Sequence, residues 1–504
     1  MCSTNGNIVS LSVNSEVGLR QRLPTPRRSD FGPPAARGTG DLVSTALPRP
    51  RSRSAASRTR PPLVVALMCA IGMGCVMFDQ TSLVVAAPTI GADLGAGISG
   101  LQWLTAIFPL VAASTMPVSG LLGERWGART TLRAGLLVFA AGAAIAALAP
   151  SLPVLLAARV VQGVGAALVL PNGPTLLGGN VDLAHRARSV SHWMMASSTG
   201  LLLGPLLGGT LADAYGWRAT FAAVVPVALL AVLVTGRLDN TARREAGRLD
   251  VAGLVTACAT LALLSWALIA TGRGTAGAGP LLAAYAGAAV LAWVFVRVER
   301  RAERPVLDVE LFASPRIRAI LVACLGYNAV INGSAFLLSM HFQDTRGLSV
   351  TAAGLLMLIA NAGMPIAGVL VNVLRPFLSS PTLMGGSLLV LAAAYLALAL
   401  GGDLPIGALV VPLVLVGVGC GVLYSLDTSA LLDAAQGHQS APAMASVALM
   451  RQIGTVLGIA ALASAGQVAV STGITEHGEP VAFALSALVL VVLGIWLRRR
   501  LLAA

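Results

Sequence analysis

Between Pro62 and Leu497 the chain is a series of apolar runs of about 20 residues separated by short polar breaks. Each run is long enough to cross a hydrocarbon layer of about 30 Å as a helix. A segment in lipid must satisfy its backbone groups internally, so it is a helix or a strand of a closed barrel. The runs are continuous rather than alternating in polarity, which excludes the barrel. Fourteen spans are predicted, at 62–86, 100–122, 131–149, 153–177, 189–212, 217–236, 251–271, 280–297, 317–341, 351–374, 382–401, 405–427, 443–467 and 480–497. An even number returns the chain to the side on which it began.

Composition agrees. Apolar residues make up 56% of the chain and charged residues 11%, against roughly a quarter charged in soluble domains. The net charge of +13 suggests a nucleic-acid partner only until the basic residues are located. All of them are Arg. Ten lie in the first 60 residues, and most of the rest fall in loops on the same side, among them Arg125, Arg129, Arg186, Arg243, Arg300, Arg375 and Arg499. The opposite loops hold only Arg218, Arg273 and Arg346. Positive loops stay cytoplasmic, so both termini are expected inside the cell membrane and the basicity reports topology. No nucleic-acid partner is expected.

Residues 1–60 are rich in Arg, Pro, Ser and Gly without hydrophobic periodicity, which predicts a disordered cytoplasmic tail. The loops leave no room for a soluble catalytic or nucleotide-binding domain. A phosphate loop of the Gly-Lys-Ser/Thr type is absent, so this chain is not expected to be driven by its own ATP hydrolysis. The six Cys are scattered, five of them in apolar spans, and read as small buried hydrophobes. Neither a metal site nor a catalytic constellation is expected; the five His are dispersed.

Four groups of residues carry candidate chemistry. The loop between the second and third spans holds Gly120, Gly123, Glu124, Arg125, Gly127 and Arg129, which suit a tight turn between close helices. The fourth span holds Arg159, Gln162, Gly163 and Gly165. A cation inside lipid is costly and functional by default, so Arg159 either faces an interior cavity beside a carboxylate or reaches back to the interface. The fifth span holds Gly200, Gly204, Pro205, Gly208, Gly209 and Leu211, a flat face for a neighbouring helix. The first span holds Asp79 with Thr81 and Pro88, and Asp79 is the acidic residue lying clearly within a span. Burial disfavours the charged form of a lone carboxylate, which poises Asp79 to bind and release a proton; a structural hydrogen-bonding role is the other reading. Asp427 and Asp433 flank the inner end of the twelfth span and read as interfacial charges, with Asp427 a reserve proton site. Trp103, Gln162, Asn328, Asn332, Asn361 and Gln343 are polar or aromatic positions suited to a substrate cavity.

Together these motifs resemble the major facilitator superfamily, and within it the fourteen-span drug:proton antiporters. The loop at 120–129 is similar to the family's signature loop, with Glu124 at its Asp position and Ala128 at one basic position. The string from Gly200 to Leu211 matches the motif that marks exporters in this superfamily. The Asp79, Thr81 and Pro88 pattern resembles its first-span motif, with Val84 where Asn is usual. The resemblance implies an all-α membrane protein of 14 transmembrane helices. It further implies a first six-helix half over 61–236, two inserted helices over 237–300 and a second half over 301–504. It also implies proton-coupled export of small apolar molecules, with Asp79 and Arg159 coupling the proton, no cofactor, and a monomer. A facilitator or importer of the same fold is the alternative.

Overall fold

The computed structural model describes residues 61–240, 250–274, 276–302, 309–401, 404–434 and 440–502, and the predicted tail lies outside them. Among the described residues the chain forms fifteen α-helices and no strand. In order these are α1 (Pro62–Leu94), α2 (Ile98–Trp126), α3 (Ala128–Ala147), α4 (Leu152–Val169), α5 (Asn172–Asn180), α6 (Leu183–Tyr215), α7 (Arg218–Thr235) and α8 (Val251–Arg273). There follow α9 (Ala278–Glu299), α10 (Pro315–Met340), α11 (Val350–Leu374), α12 (Ser380–Leu400), α13 (Ile406–Ala434), α14 (Ser440–Ser471) and α15 (Glu479–Leu502). With α4 and α5 together as the fourth span, they supply fourteen segments long and apolar enough to cross a membrane.

Most of the helices outrun the predicted spans, α7 being an exception. Apolar patterning marks only the stretch that lipid must cover, whereas a helix continues until a stop signal. Thus α1 runs 33 residues, about 50 Å at 1.5 Å per residue, and ends at Gly95, whose φ of 62° opens the left-handed turn that lets Ala96 N–H reach the Gly91 carbonyl. Several starts are set by side-chain caps: Asp250 accepts from Gly253 N–H, Ser314 from Ile317, Ser349 from Ala352 and Ser379 from Thr382.

Packing repeats between two groups of six spans. In the first, α1 lies on α6 and α7, α3 on α4 and α7, and α2 on α4. In the second, α10 lies on α14 and α15, α12 on α13 and α15, and α11 on α13. Counted within each group, these are the same pairs: first with fifth and sixth, third with fourth and sixth, second with fourth. The two halves meet through α6 against α11, α2 against α14 and α1 against α10. The remaining helices, α8 and α9, pack on each other, and α8 covers the seam between α2 and α14. There a Cβ on Gly272 would lie 2.7 Å from the Ser464 backbone.

Several hydrogen bonds between the halves lie toward the Arg-poor ends of the helices, and one, from Asn361 to the Leu201 carbonyl, lies midway along α11 and α6. Gln343 Nε2 donates to the Val85 carbonyl at 2.8 Å, and Gln102 Nε2 donates to the Ala460 carbonyl and Ser464 Oγ at 3.4 and 3.3 Å. Asp213 of α6 accepts from the first-turn amides of α11, Val350 N–H at 3.2 Å and Thr351 N–H at 2.7 Å. A carboxylate at a helix N-terminus also meets the positive end of the helix dipole. Toward the Arg-rich ends, Met194 and Met195 of α6 and Ile366, Val369 and Val373 of α11 are exposed. The polar contacts between the halves are thus concentrated from the middle of the bundle to its Arg-poor end.

Candidate functional site

The first half buries an ion pair at its centre. Arg159 is one turn or more inside α4, and its side chain is 1% exposed. Its Nη1 meets Asp79 Oδ2 of α1 at 2.5 Å and donates to Gln162 Oε1 at 2.9 Å, while Gln162 Nε2 donates to Asp79 Oδ1 at 2.9 Å. Arg159 and Gln162 are three residues apart and share one helix face. The guanidinium lies 4.3 Å from the centroid of the Phe108 ring on α2, whose π-face attracts a cation. Arg159 thus takes the interior alternative and does not reach back to the interface. The Asp79 carboxylate is not lone, because Arg159 and Gln162 occupy both its oxygens.

The glycines of α4 explain how so large a group is seated there. A Cβ on Gly163 would sit 2.9 Å from the Phe108 carbonyl, and one on Gly165 would sit 2.8 Å from the Gly135 carbonyl. Only hydrogen at these positions allows α2 and α3 to close on α4 at backbone distance. The α6 string does the same for α1. A Cβ on Gly200 would fall on the Gly74 carbonyl, one on Gly204 on the Thr81 hydroxyl, and one on Gly208 on Ser82. The opposite edge of the string faces α11: Gly209 meets the Val350 carbonyl, and the Pro205 carbonyl meets Gly354. One motif therefore joins the helix that carries Asp79 to the other half.

The signature loop is knitted to parts of the chain that the sequence does not point to. Gly127 turns between α2 and α3 at φ 87°. Asn240 fills the space beside it: Nδ2 donates to the Trp126 carbonyl at 2.9 Å, and Oδ1 accepts Arg129 N–H at 3.0 Å. Arg129 Nη1 donates to the Leu238 carbonyl at 2.8 Å. Residues 237–240, between the predicted sixth and seventh spans, are thus pinned at this end, and 241–249 lie outside the described residues. Gly123 faces Asn172, which donates to Ser119 Oγ at 2.8 Å. Gly120 faces open space, and Glu124 and Arg125 stand in the last turn of α2. Replacing Asn240 with Ala removes several such bonds at roughly 1 kcal/mol each. The expected result is a fall of several degrees in the thermal unfolding midpoint in detergent, with the fold retained.

The other predicted cavity residues separate. Trp103 is half-buried and packs with Leu110, Leu261 and Val456 in the seam that α8 covers. Asn361 Nδ2 donates to the Leu201 carbonyl at 3.2 Å and so bridges α11 to α6. Asn332 Nδ2 donates to the Asn328 carbonyl at 3.0 Å, and Asn328 Oδ1 accepts from Tyr424 Oη at 2.7 Å. Asp427, read as an interfacial charge, lies within α13 and is fully buried. Among the described residues no group of His, Cys, Asp and Glu is arranged to hold a metal ion.

The class of this two-half helical bundle is given by comparison with known proteins. A family model for the Major Facilitator Superfamily matches residues 69–459. The methylenomycin A resistance protein of Streptomyces coelicolor is 32% identical over 418 residues, spanning 82% of this chain and 87% of that protein. The drug efflux pump JefA of Mycobacterium tuberculosis is 31% identical over 441 residues, spanning 84% and 85%. The multidrug efflux pump LfrA of Mycolicibacterium smegmatis is 31% identical over 415 residues, spanning 81% and 82%. Among solved structures, a peptide transporter POT in complex with sulfate superposes with a TM-score of 0.65 over 87% of this chain and 95% of the other, at 16% identity, a likeness of fold. The chain belongs to the Major Facilitator Superfamily; it is a multi-pass membrane transporter and not an enzyme.

Proposed function

We propose that this transporter exports small, largely apolar molecules across the cytoplasmic membrane in exchange for protons, acting as a monomer without a cofactor. The observation that carries the reading is the sealed cluster of Asp79, Arg159 and Gln162, held on a helix that the α6 string couples to the other half. Taking a proton neutralises Asp79 and frees Arg159; releasing it restores the pair. Either change alters how α1 and α4 hold together, and rocking of the two halves would then expose a midplane site to alternate sides. The Arg distribution supports cytoplasmic termini, and on that topology the polar contacts between the halves lie from mid-membrane to the outer side. Relatives named as resistance and efflux proteins support export. The exposed Met194, Met195, Ile366 and Val369 toward the Arg-rich ends of α6 and α11 suit apolar cargo, Met being adaptable to varied shapes.

The energetics suffice. One proton moving inward across about 100 mV releases about 2.3 kcal/mol, enough for a concentration ratio above tenfold. The test is proton flux in energised inverted vesicles as lipophilic dyes and antibiotics are added, beside Asp79→Asn. Substrate-dependent flux that vanishes in the variant supports antiport at Asp79. Solute movement independent of the gradient would make the protein a facilitator and Asp79 a structural group.

A further inference from the structure

Within the second half, α10 and α13 hold the places that α1 and α4 hold in the first, and they carry a second buried charge cluster. Asp427 of α13 accepts from Tyr327 Oη of α10 at 2.5 Å and from Thr428 Oγ1 at 3.0 Å, and it pairs with Arg451 Nη2 of α14 at 2.8 Å. The Arg451 guanidinium lies 4.3 Å from the Tyr424 ring centroid, as Arg159 lies against Phe108. Tyr327 and Tyr424 stack edge to face at 5.7 Å. The titratable groups around Asp427 are Arg451 on α14, Tyr327 and Cys324 on α10, and Tyr424 and Cys420 on its own helix. Tyr395 of α12 faces Cys420, and Arg375, at the end of α11, bonds Ser429.

The two pairs differ in one respect. Asp79 and Arg159 are each 1% exposed, whereas Arg451 is 28% exposed in front of an Asp427 at 0%. In this conformation the first pair is shut, and the arginine side chain of the second is partly exposed. We propose that Asp427 is a second proton-binding carboxylate of this transporter, occupied when Arg451 leaves it. Arg451 can move toward its exposed side, and Asp427 is then a buried charge without its counter-ion. A proton from water adds to a carboxylate oxygen, one O–H bond forms, Arg451 stays charged, and the cluster gains one positive charge. Tyr327 keeps a partner throughout, since a phenol donates to a carboxylate and accepts from a carboxyl. Two carboxylates gated differently in one conformation would let the halves load protons at different stages of the cycle. The inference rests on the reading of the protein as a proton-driven exporter.

The experiment is infrared difference spectroscopy of the purified full chain in lipid, following the carbonyl stretch of protonated carboxyls with pH. The wild type is expected to show two pH-dependent buried bands, one lost in Asp427→Asn and the other in Asp79→Asn. A single band that depends on Asp79 alone overturns the inference and leaves Asp79 as the coupling residue. A single band that depends on Asp427 alone sustains the inference and removes Asp79. Absence of both overturns both. Should Asp427→Asn fail to fold, Tyr327→Phe provides the reading in an Asp79→Asn background. It must move the midpoint of the remaining band, and an unmoved or missing band overturns the proposal.

Discussion

Arg159→Ala is expected to destabilise the protein strongly and to abolish export, and Asp79→Asn added to it is expected to return part of the stability without returning transport. The wild-type pair is 1% exposed on both sides, so neither charge has water to fall back on. Breaking a buried pair from one side leaves the other charge uncompensated, at about 3–5 kcal/mol. Removing both charges avoids that cost, and an Asn at 79 can still meet Gln162, which already donates to that position at 2.9 Å. The four-member cycle, read by thermal unfolding in detergent, isolates the coupling between the two sites. Equal losses in the single and double variants would mean that Asp79 carries no charge in the resting protein. Export assays on the same set separate stability from coupling, because the double variant is the better folded and is still expected to be inactive.

Gly200→Val is expected to have the largest purely steric effect. The Cβ would fall on the Gly74 carbonyl, with the Gly74 Cα at 2.9 Å, so only backbone lies in the way and no side chain can yield. Overpacking of this kind typically costs about 1–3 kcal/mol and occasionally more. The damage also travels along α6, since Pro205 and Gly209 on the same helix hold the contact with α11. Gly120→Ala in the signature loop is the control: nothing lies within 4 Å of the added Cβ, and the change is expected to stay within about 0.5 kcal/mol. Similar losses in both variants, by thermal unfolding and vesicle transport, would show that glycine acts in α6 through something other than close packing.

Much of the site was legible because lipid makes charge conspicuous. Asp79 and Arg159 stand out in apolar runs, and the residues flanking them matched motifs, so an interior arginine beside a carboxylate was one of the two readings the sequence offered. Asp427 was misread for the same reason inverted. An Asp near the end of an apolar run looks like the interface, and the span was ended on it. Its partners Tyr327 and Arg451 lie 100 and 24 residues away on other helices, and hydropathy carries no information about which helices adjoin. The packing of Trp103 was not legible: a polar-edged aromatic suits a cavity or a seam, and its neighbours depend on where α8 packs. Asn240 left no signal, because its value lies in fitting beside a glycine turn more than a hundred residues earlier in the chain.

By itself, the sequence determined the number of crossings, their helical nature, the charge asymmetry between the two sides and the presence of rare charges within the membrane. Each follows from a one-dimensional rule: the thickness of the hydrocarbon, the need to satisfy backbone groups inside it, and the cost of burying charge. Only the tertiary structure decided which charges pair, which glycines touch backbone, where the halves meet, and that one ion pair is sealed while the other is partly open. Those outcomes depend on helix order in space and on rotation about each helix axis. Both are settled by close packing between segments far apart in the chain, which no local pattern encodes.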